Sequence, residues 1–256
     1  MVRRPPHLLD LISASLGRSW ARCRSALFSL LFPWKCPGCF TPLPFAEAIC
    51  GECAQSLKRI CGPFCRRCGI PFPLHWRVKV CPECRLQRLP LRRIRSVFCY
   101  EGLVRDMIRD AKYRRAARYL SYFAEQLFVL TRAEFPDVKA LVPVPLHPQR
   151  EWERTFNQAD FMARELSRLC GVPVWNCLLK SRKTMPQSSL SGAARRANLK
   201  GAFHCRKSGM VPSSVLLIDD VMTTGATLEE CARALRGAGV RTVYAITVAR
   251  TVRSGS

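Results

Sequence analysis

Cys36-Pro-Gly-Cys39, Cys50-Gly-Glu-Cys53, Cys65-Arg-Arg-Cys68 and Cys81-Pro-Glu-Cys84 place eight of the chain's fifteen cysteines between residues 36 and 84. That stretch has too few aliphatic residues to bury a core of its own, so a metal must take the place of one. A Cys-x-x-Cys turn holds two thiolates on one side of a tight knuckle, and two such knuckles complete a tetrahedral Zn²⁺ shell. Pairing neighbours in sequence is the simplest arrangement. Interleaved pairing, or a role for Cys61 or His75, would satisfy the same chemistry. With all eight thiolates engaged no coordination position stays open, and the zinc is structural. The other seven cysteines are scattered and odd in number, which suits a reducing compartment.

The chain has 256 residues, enough for one sizeable core plus a small module, and a formal charge of +24. Residues 1–120 carry 23 Lys/Arg against 7 Asp/Glu, and residues 121–256 carry 19 against 11. Two zinc tetrathiolates leave a net charge of about +20. Such an excess predicts attraction to a polyanion, with nucleic acid the natural candidate. Arg66, Arg67, Arg77, Lys79, Arg85 and Arg88 lie among Trp34, Phe40, Phe64, Phe72 and Trp76, a mixture suited to phosphate contact and base stacking, though such aromatics more often pack a small metal domain. At the N-terminus Leu8, Ile12, Leu16 and Trp20 have helical spacing, while Arg18, Arg22 and Arg24 break the apolar run. The expectation is an amphipathic leader helix over 1–34, with no transmembrane span. It implies a cytoplasmic protein, with a peripheral membrane position open to the leader.

From residue 94 the pattern alternates. IRSVFCY, KALVPVPL, VPVWNCLL, VLLI and RTVYAITVAR read as strands; LVRDMIRDAKY, ARYLSYFAEQLFVLTRAEF, NQADFMARELSRLC and LEECARALRGAG read as helices. This predicts an α/β fold with a parallel sheet, whose ligands bind beyond the carboxyl ends of the strands. VLLIDDVMTTGATLEE (215–230) puts Asp219 and Asp220 at such an end. Thr223, Thr224, Gly225, Ala226 and Thr227 then form a small hydroxyl-rich turn opening a helix. The acids suit sugar hydroxyls and the helix start suits a phosphate, so a phosphorylated pentose fits both halves.

This stretch resembles the PRPP-binding motif of type I phosphoribosyltransferases, in which the acids bind the ribose hydroxyls and the T-T-G-x-T turn holds the 5′-phosphate. LVPVPLHPQREWERTFNQADFMAREL, SRKTMPQSSLSGAARRANLKGAF and YEGLVRDMIRDAKYR, with its Lys112-Tyr113 pair, extend the likeness. Over roughly residues 30–250 the chain is similar to the ComF family, whose phosphoribosyltransferase domain follows a zinc ribbon. The resemblance implies that the loop holding Pro145, Leu146 and His147, with Arg150 and Arg154 nearby, faces the pyrophosphate of PRPP and its Mg²⁺. It also implies a flexible loop from Ser181 to Lys200 in which Lys183, Arg195, Arg196 and Lys200 neutralise phosphates. Two departures stand out: Thr155 replaces the family's glycine in R-G-F-N-Q, and Ala194 replaces an acid before Arg195-Arg196.

The expected organisation is a leader (1–34), a double zinc ribbon (35–90) and a type I phosphoribosyltransferase-like domain (91–256). The expected function is PRPP binding coupled to single-stranded DNA handling in natural competence, DNA uptake or DNA utilisation, with competence or DNA-translocation proteins as partners. The alternative is an active phosphoribosyltransferase of nucleotide metabolism with an unidentified acceptor and no direct DNA role. No constellation in the sequence names a catalytic residue or a base.

Overall fold

The structure is a computed structural model that describes residues 34–44, 47–73, 75–87, 89–112, 117–146, 156–181, 192–206 and 209–252. The expected leader helix, apart from Trp34, lies outside the described residues. The chain divides into two compact units, Met1–Ser56 and Leu57–Ser256.

In the first unit, β1 (Trp34–Lys35) and β2 (Pro42–Leu43) pair antiparallel around the Cys36–Cys39 knuckle, and α1 (Gly51–Ser56) follows Cys50. In the second unit the knuckle at Cys65–Cys68 is answered by the short α2 (Pro82–Leu86). A four-stranded sheet then dominates, with β3 (Arg93–Cys99), β4 (Ala140–Pro143), β7 (Ser214–Met222) and β8 (Thr242–Arg250) in the order β3-β8-β7-β4. All three pairings are parallel. The expected α/β class is the observed one.

Along β7 the side chains alternate between the two faces. Val215 and Leu217 join a buried cluster with Val142, Leu228, Ala232 and Val243. Helix α3 (Gly102–Asp110), which follows β3, buries Val104, Met107 and Ile108, and helices α4 (Ala117–Glu134), α5 (Gln158–Cys170) and α7 (Ala226–Gly237) cover the sheet. Phe98 of β3 meets Phe123 of α4 edge-on at 6.5 Å. Asn157 caps α5 as its sequence suggests: its Oδ1 accepts from the Ala159 N–H at 3.0 Å, and its Nδ2 donates to the Val144 carbonyl at 3.0 Å.

Two segments differ from expectation. VPVWNCLL contributes only a single parallel bridge, Val174 to Leu141, before β5 (Leu178–Lys180) pairs antiparallel with β6 (Phe203–Cys205) in a separate small sheet. Pro173 has no N–H to continue the ladder, which explains the interruption. The end of the expected flexible loop forms α6 (Gly192–Leu199), rich in good helix formers and anchored by the fully buried Leu199.

Candidate functional site

β7 does not stop at the two acids. It runs on to Met222, because β8 offers ladder partners as far as Arg250 (Asp219 opposite Thr247, Met222 opposite Arg250). Asp219 and Asp220 therefore lie inside the last turns of a paired strand, both half-buried. The Asp219 Oδ1 accepts from the Asp220 N–H at 2.9 Å, and the Asp220 Oδ1 accepts from the Val221 N–H at 2.7 Å. Loss of hydration, and next the like charge of Asp220, push the Asp219 carboxyl well above the usual carboxylate range. The positive charge of Lys180, at the end of β5, works in the opposite direction. Burial and then the charge of Asp220 raise the Tyr100 phenol, while Arg109 and Arg105 of α3 oppose them. Lys180 thus acts on Asp219, and Tyr100, itself under the α3 arginines, feels the charge of Asp220. Sequence reasoning missed them because nothing local marks them.

The turn after β7 is held by backbone geometry. Gly225 has φ +81° and caps α7; a Cβ there would meet the Met222 methyl at 3.0 Å. Thr224 Oγ1 accepts from the Ala226 N–H at 3.4 Å, Thr223 is exposed, and Thr227 is half-buried in the first turn of α7. A 12-residue helix starting here presents its positive end to the same space as the threonine hydroxyls.

On the β4 side, the Val144 N–H donates to the Ile218 carbonyl at 2.9 Å, which sets Pro145 beside the acids. Pro145 and Leu146 share a cleft of about 500 Å³ with Lys180 and Ser181. The start of the expected pyrophosphate loop and the start of the expected flexible loop therefore come together. His147, Arg150, Arg154, Lys183, Tyr113 and Arg88 lie outside the described residues. Arg195 and Arg196 fall in α6, their side chains outside what is described, and Lys200 is exposed just beyond it.

The cysteines form two groups of four, Cys36/Cys39/Cys50/Cys53 and Cys65/Cys68/Cys81/Cys84, with each group's sulfurs within 4.8 Å of one another. Pairing is sequential, and neither Cys61 nor His75 joins. Cys36 and Cys39 each stand 3.6 Å from Cys50, and Cys68 stands 3.7 Å from Cys81. Tetrahedral zinc with Zn–S bonds of about 2.3 Å requires sulfurs about 3.8 Å apart, so both groups fit the ion. The Cys53 and Cys81 N–H groups donate to the sulfurs of Cys50 and Cys65, each at 3.4 Å. Bound zinc supplies a structural crosslink; the chain's part is eight preassembled thiols. Burial works against ionisation of Cys36, but backbone hydrogen bonds from Cys50, Cys39 and Gly38 together outweigh it and bring the thiol down to about 6. The second group is buried throughout and backed by Ile70, Val78, Val80 and Leu89.

Of the basic residues around that second group, Arg66, Arg77, Lys79 and Arg85 are exposed. Arg67 is engaged within the ribbon, donating to the carbonyls of Cys84 at 2.6 Å and Gln87 at 3.3 Å. Among the aromatics, Trp34, Phe40 and Trp76 are exposed, whereas Phe72 packs beneath Trp76 and Phe64 lies under the Arg95 guanidinium. Among the described residues no helix is long and apolar enough to cross a membrane.

Profiles of two families match the chain: the double zinc ribbon domain over residues 27–85 and the phosphoribosyl transferase domain over residues 159–255. Competence protein F of Haemophilus influenzae is 31% identical over 230 residues, 86% of this chain and 98% of that protein. The chain belongs to the ComF family. Competence protein ComFC of Bacillus subtilis is 33% identical over 198 residues, 74% of this chain and 78% of its own. DNA utilization protein YhgH of Escherichia coli K12 is 30% identical over 233 residues, 87% of this chain and all of its own (100%). In this ComF-family chain the phosphoribosyltransferase-like sheet and the second cysteine group share one compact unit.

Proposed function

We propose that this ComF-family protein binds PRPP, or a similar phosphosugar, with Mg²⁺ at the end of β7 and handles single-stranded DNA in the cytoplasm during competence or DNA utilisation. The observation that carries the ligand half is the juxtaposition at one strand end: two carboxylates on β7, then the Thr223–Thr227 turn at the start of α7. In this reading Asp219 and Asp220 take the ribose hydroxyls, and Thr223, Thr224, Gly225, Ala226 and Thr227 cradle the 5′-phosphate. Pro145, Leu146, His147, Arg150 and Arg154 face the pyrophosphate, and Lys183, Arg195, Arg196 and Lys200 close over it. The DNA half is supported by the +24 charge, by exposed Arg66, Arg77, Lys79 and Arg85 near exposed Trp76, and by relatives named for competence and DNA utilisation. Competence or DNA-translocation proteins would deliver the strand.

A second reading, turnover as a phosphoribosyltransferase, is favoured by one observation. A cleft of about 480 Å³ opens beside Thr223 and Thr224, lined by Ile70, Leu89, Glu229 and Arg250, with room for an acceptor. Calorimetric titration of the zinc-loaded protein with PRPP and Mg²⁺, with and without a single-stranded oligonucleotide and with pyrophosphate release followed in the same samples, separates the two. Binding without release is expected for a PRPP-responsive DNA handler. DNA-dependent release would make it a transferase. Absence of binding would refute the phosphosugar site.

A further inference from the structure

The second cysteine group and the Thr223–Gly225 turn are joined by a short, buried path. Arg250 ends β8 and is 4% exposed; its Nη1 donates to the Cys68 carbonyl at 2.5 Å, inside the knuckle. Its Nε is buried without a partner among the described residues, so the Cys68 carbonyl is the anchor of this guanidinium. Arg250 is the ladder partner of Met222, and the Thr251 N–H donates to the Met222 carbonyl at 3.0 Å, closing the end of the sheet directly before the turn. The Met222 methyl in turn fills the space that a side chain at residue 225 would need.

The knuckle is equally committed to the sheet. The Ile94 N–H donates to the Arg67 carbonyl at 2.7 Å, and a Cβ on Gly69 would stand 2.8 Å from the Ile94 carbonyl oxygen. Cys68, Cys81 and Cys84 form one wall of the cleft whose other wall is Met222, Thr223, Thr224 and Thr251. Across that open space the turn is braced at its root, through Arg250 and Thr251. Without metal, residues 65–84 lose the crosslink among four crowded thiols and rely on backbone ties such as that to Ile94 and on a small apolar cluster. The Cys68 carbonyl then loses its position, and a buried guanidinium loses its acceptor, which is costly.

We propose that Arg250 is a positioning residue through which metal at the second cysteine group sets the conformation of the Thr223–Gly225 turn, so that zinc there and a phosphosugar at the turn bind cooperatively. The phosphosugar half rests on the function proposed above; the mechanical half does not.

Hydrogen–deuterium exchange on the zinc-loaded full chain without ligand tests the mechanical half. In Arg250→Met, and in Cys65→Ser/Cys68→Ser, amides of 222–228 are expected to exchange about tenfold faster or more, within the usual range of site-to-site coupling. Strand residues 215–218 should keep their protection, Arg250→Lys should restore part of the loss, and Cys36→Ser/Cys39→Ser, in the other compact unit, should leave the turn unchanged. Turn exchange at the wild-type rate in Arg250→Met overturns the proposal. So does equal loosening of 215–218, which marks general damage. Should the double-serine variant not fold, Arg250→Met and Arg250→Lys decide the matter. The cooperative half is read with PRPP and Mg²⁺: PRPP should slow zinc release to a colorimetric chelator by the factor by which zinc strengthens PRPP binding, since linkage is reciprocal. Unaltered zinc release by a protein that binds PRPP refutes cooperativity. A wild-type protein that ignores PRPP refutes the ligand reading instead, and the exchange experiment still judges the tie.

Discussion

Asp219 shows how a ligand site weighs against the fold that carries it. Its carboxyl titrates above the unfolded value, so across that window the native protein holds a proton that the unfolded chain has released. Stability from this group is therefore present in acid and lost as pH rises through the folded-state pKa. Asp219→Asn is expected to melt at a higher temperature than wild type near neutrality, with the difference shrinking in acid, and to lose PRPP binding. Thermal melts across pH beside calorimetry check both, and a melting temperature lowered at neutral pH contradicts the account. Gly225 makes the opposite demand. Its φ of +81°, and a Met222 methyl that would stand 3.0 Å from any Cβ added there, leave no easy place for alanine. Gly225→Ala should cost about 1–2 kcal/mol in urea unfolding, from left-handed backbone strain and crowding.

At the scale of elements, the site is the meeting of two strand ends, and each end has its own fastening. Asn157 does double duty, capping α5 and holding the Val144 carbonyl one residue before Pro145. Asn157→Ala should destabilise by about 1–2 kcal/mol through loss of cap and donor together, whereas Asn157→Asp keeps the cap and should lose less. Equal losses for the two in denaturant titrations would show that only the donor matters. Much at this scale was legible in the chain. The aliphatic run 215–218, the Asn157 cap, the alternation of strands and helices and the four Cys-x-x-Cys pairs are local patterns that need no partner to be read. The extension of β7 past its acids was not, because it depends on β8 supplying a ladder as far as Arg250. The shortening of the 172–179 strand and the helix at 192–199 likewise follow from neighbours: Leu141 offers a single bridge, and Leu199 finds a buried seat.

For the whole molecule, charge is the long-range property. An excess of +24 draws any polyanion, so DNA handling must be separated from general basicity by form and by salt. Affinity for a single-stranded oligonucleotide is expected to fall by roughly tenfold or more between about 50 and 200 mM salt, following about −0.7 per neutralised phosphate, with duplex of equal length bound more weakly. Trp76→Ala should weaken the single-strand complex by about 1–3 kcal/mol if its exposed ring stacks on a base. Equal affinity for duplex and single strand in filter binding would reduce the effect to charge.

The sequence by itself determined the four Cys-x-x-Cys pairs, the α/β class, the acid pair and the turn that follows it, because each is written in local patterns; which pairs share a metal was decided by the structure. Only the tertiary structure decided that Lys180 acts on Asp219, and that Asp220 and the arginines of α3 act on Tyr100. It alone placed the carbonyl of Cys68 on the guanidinium of Arg250, 182 residues away. Short-range patterns are legible because steric and hydrogen-bonding preferences act locally. Electrostatic and packing partners far apart in the chain exist only once a parallel sheet has brought its strand ends together.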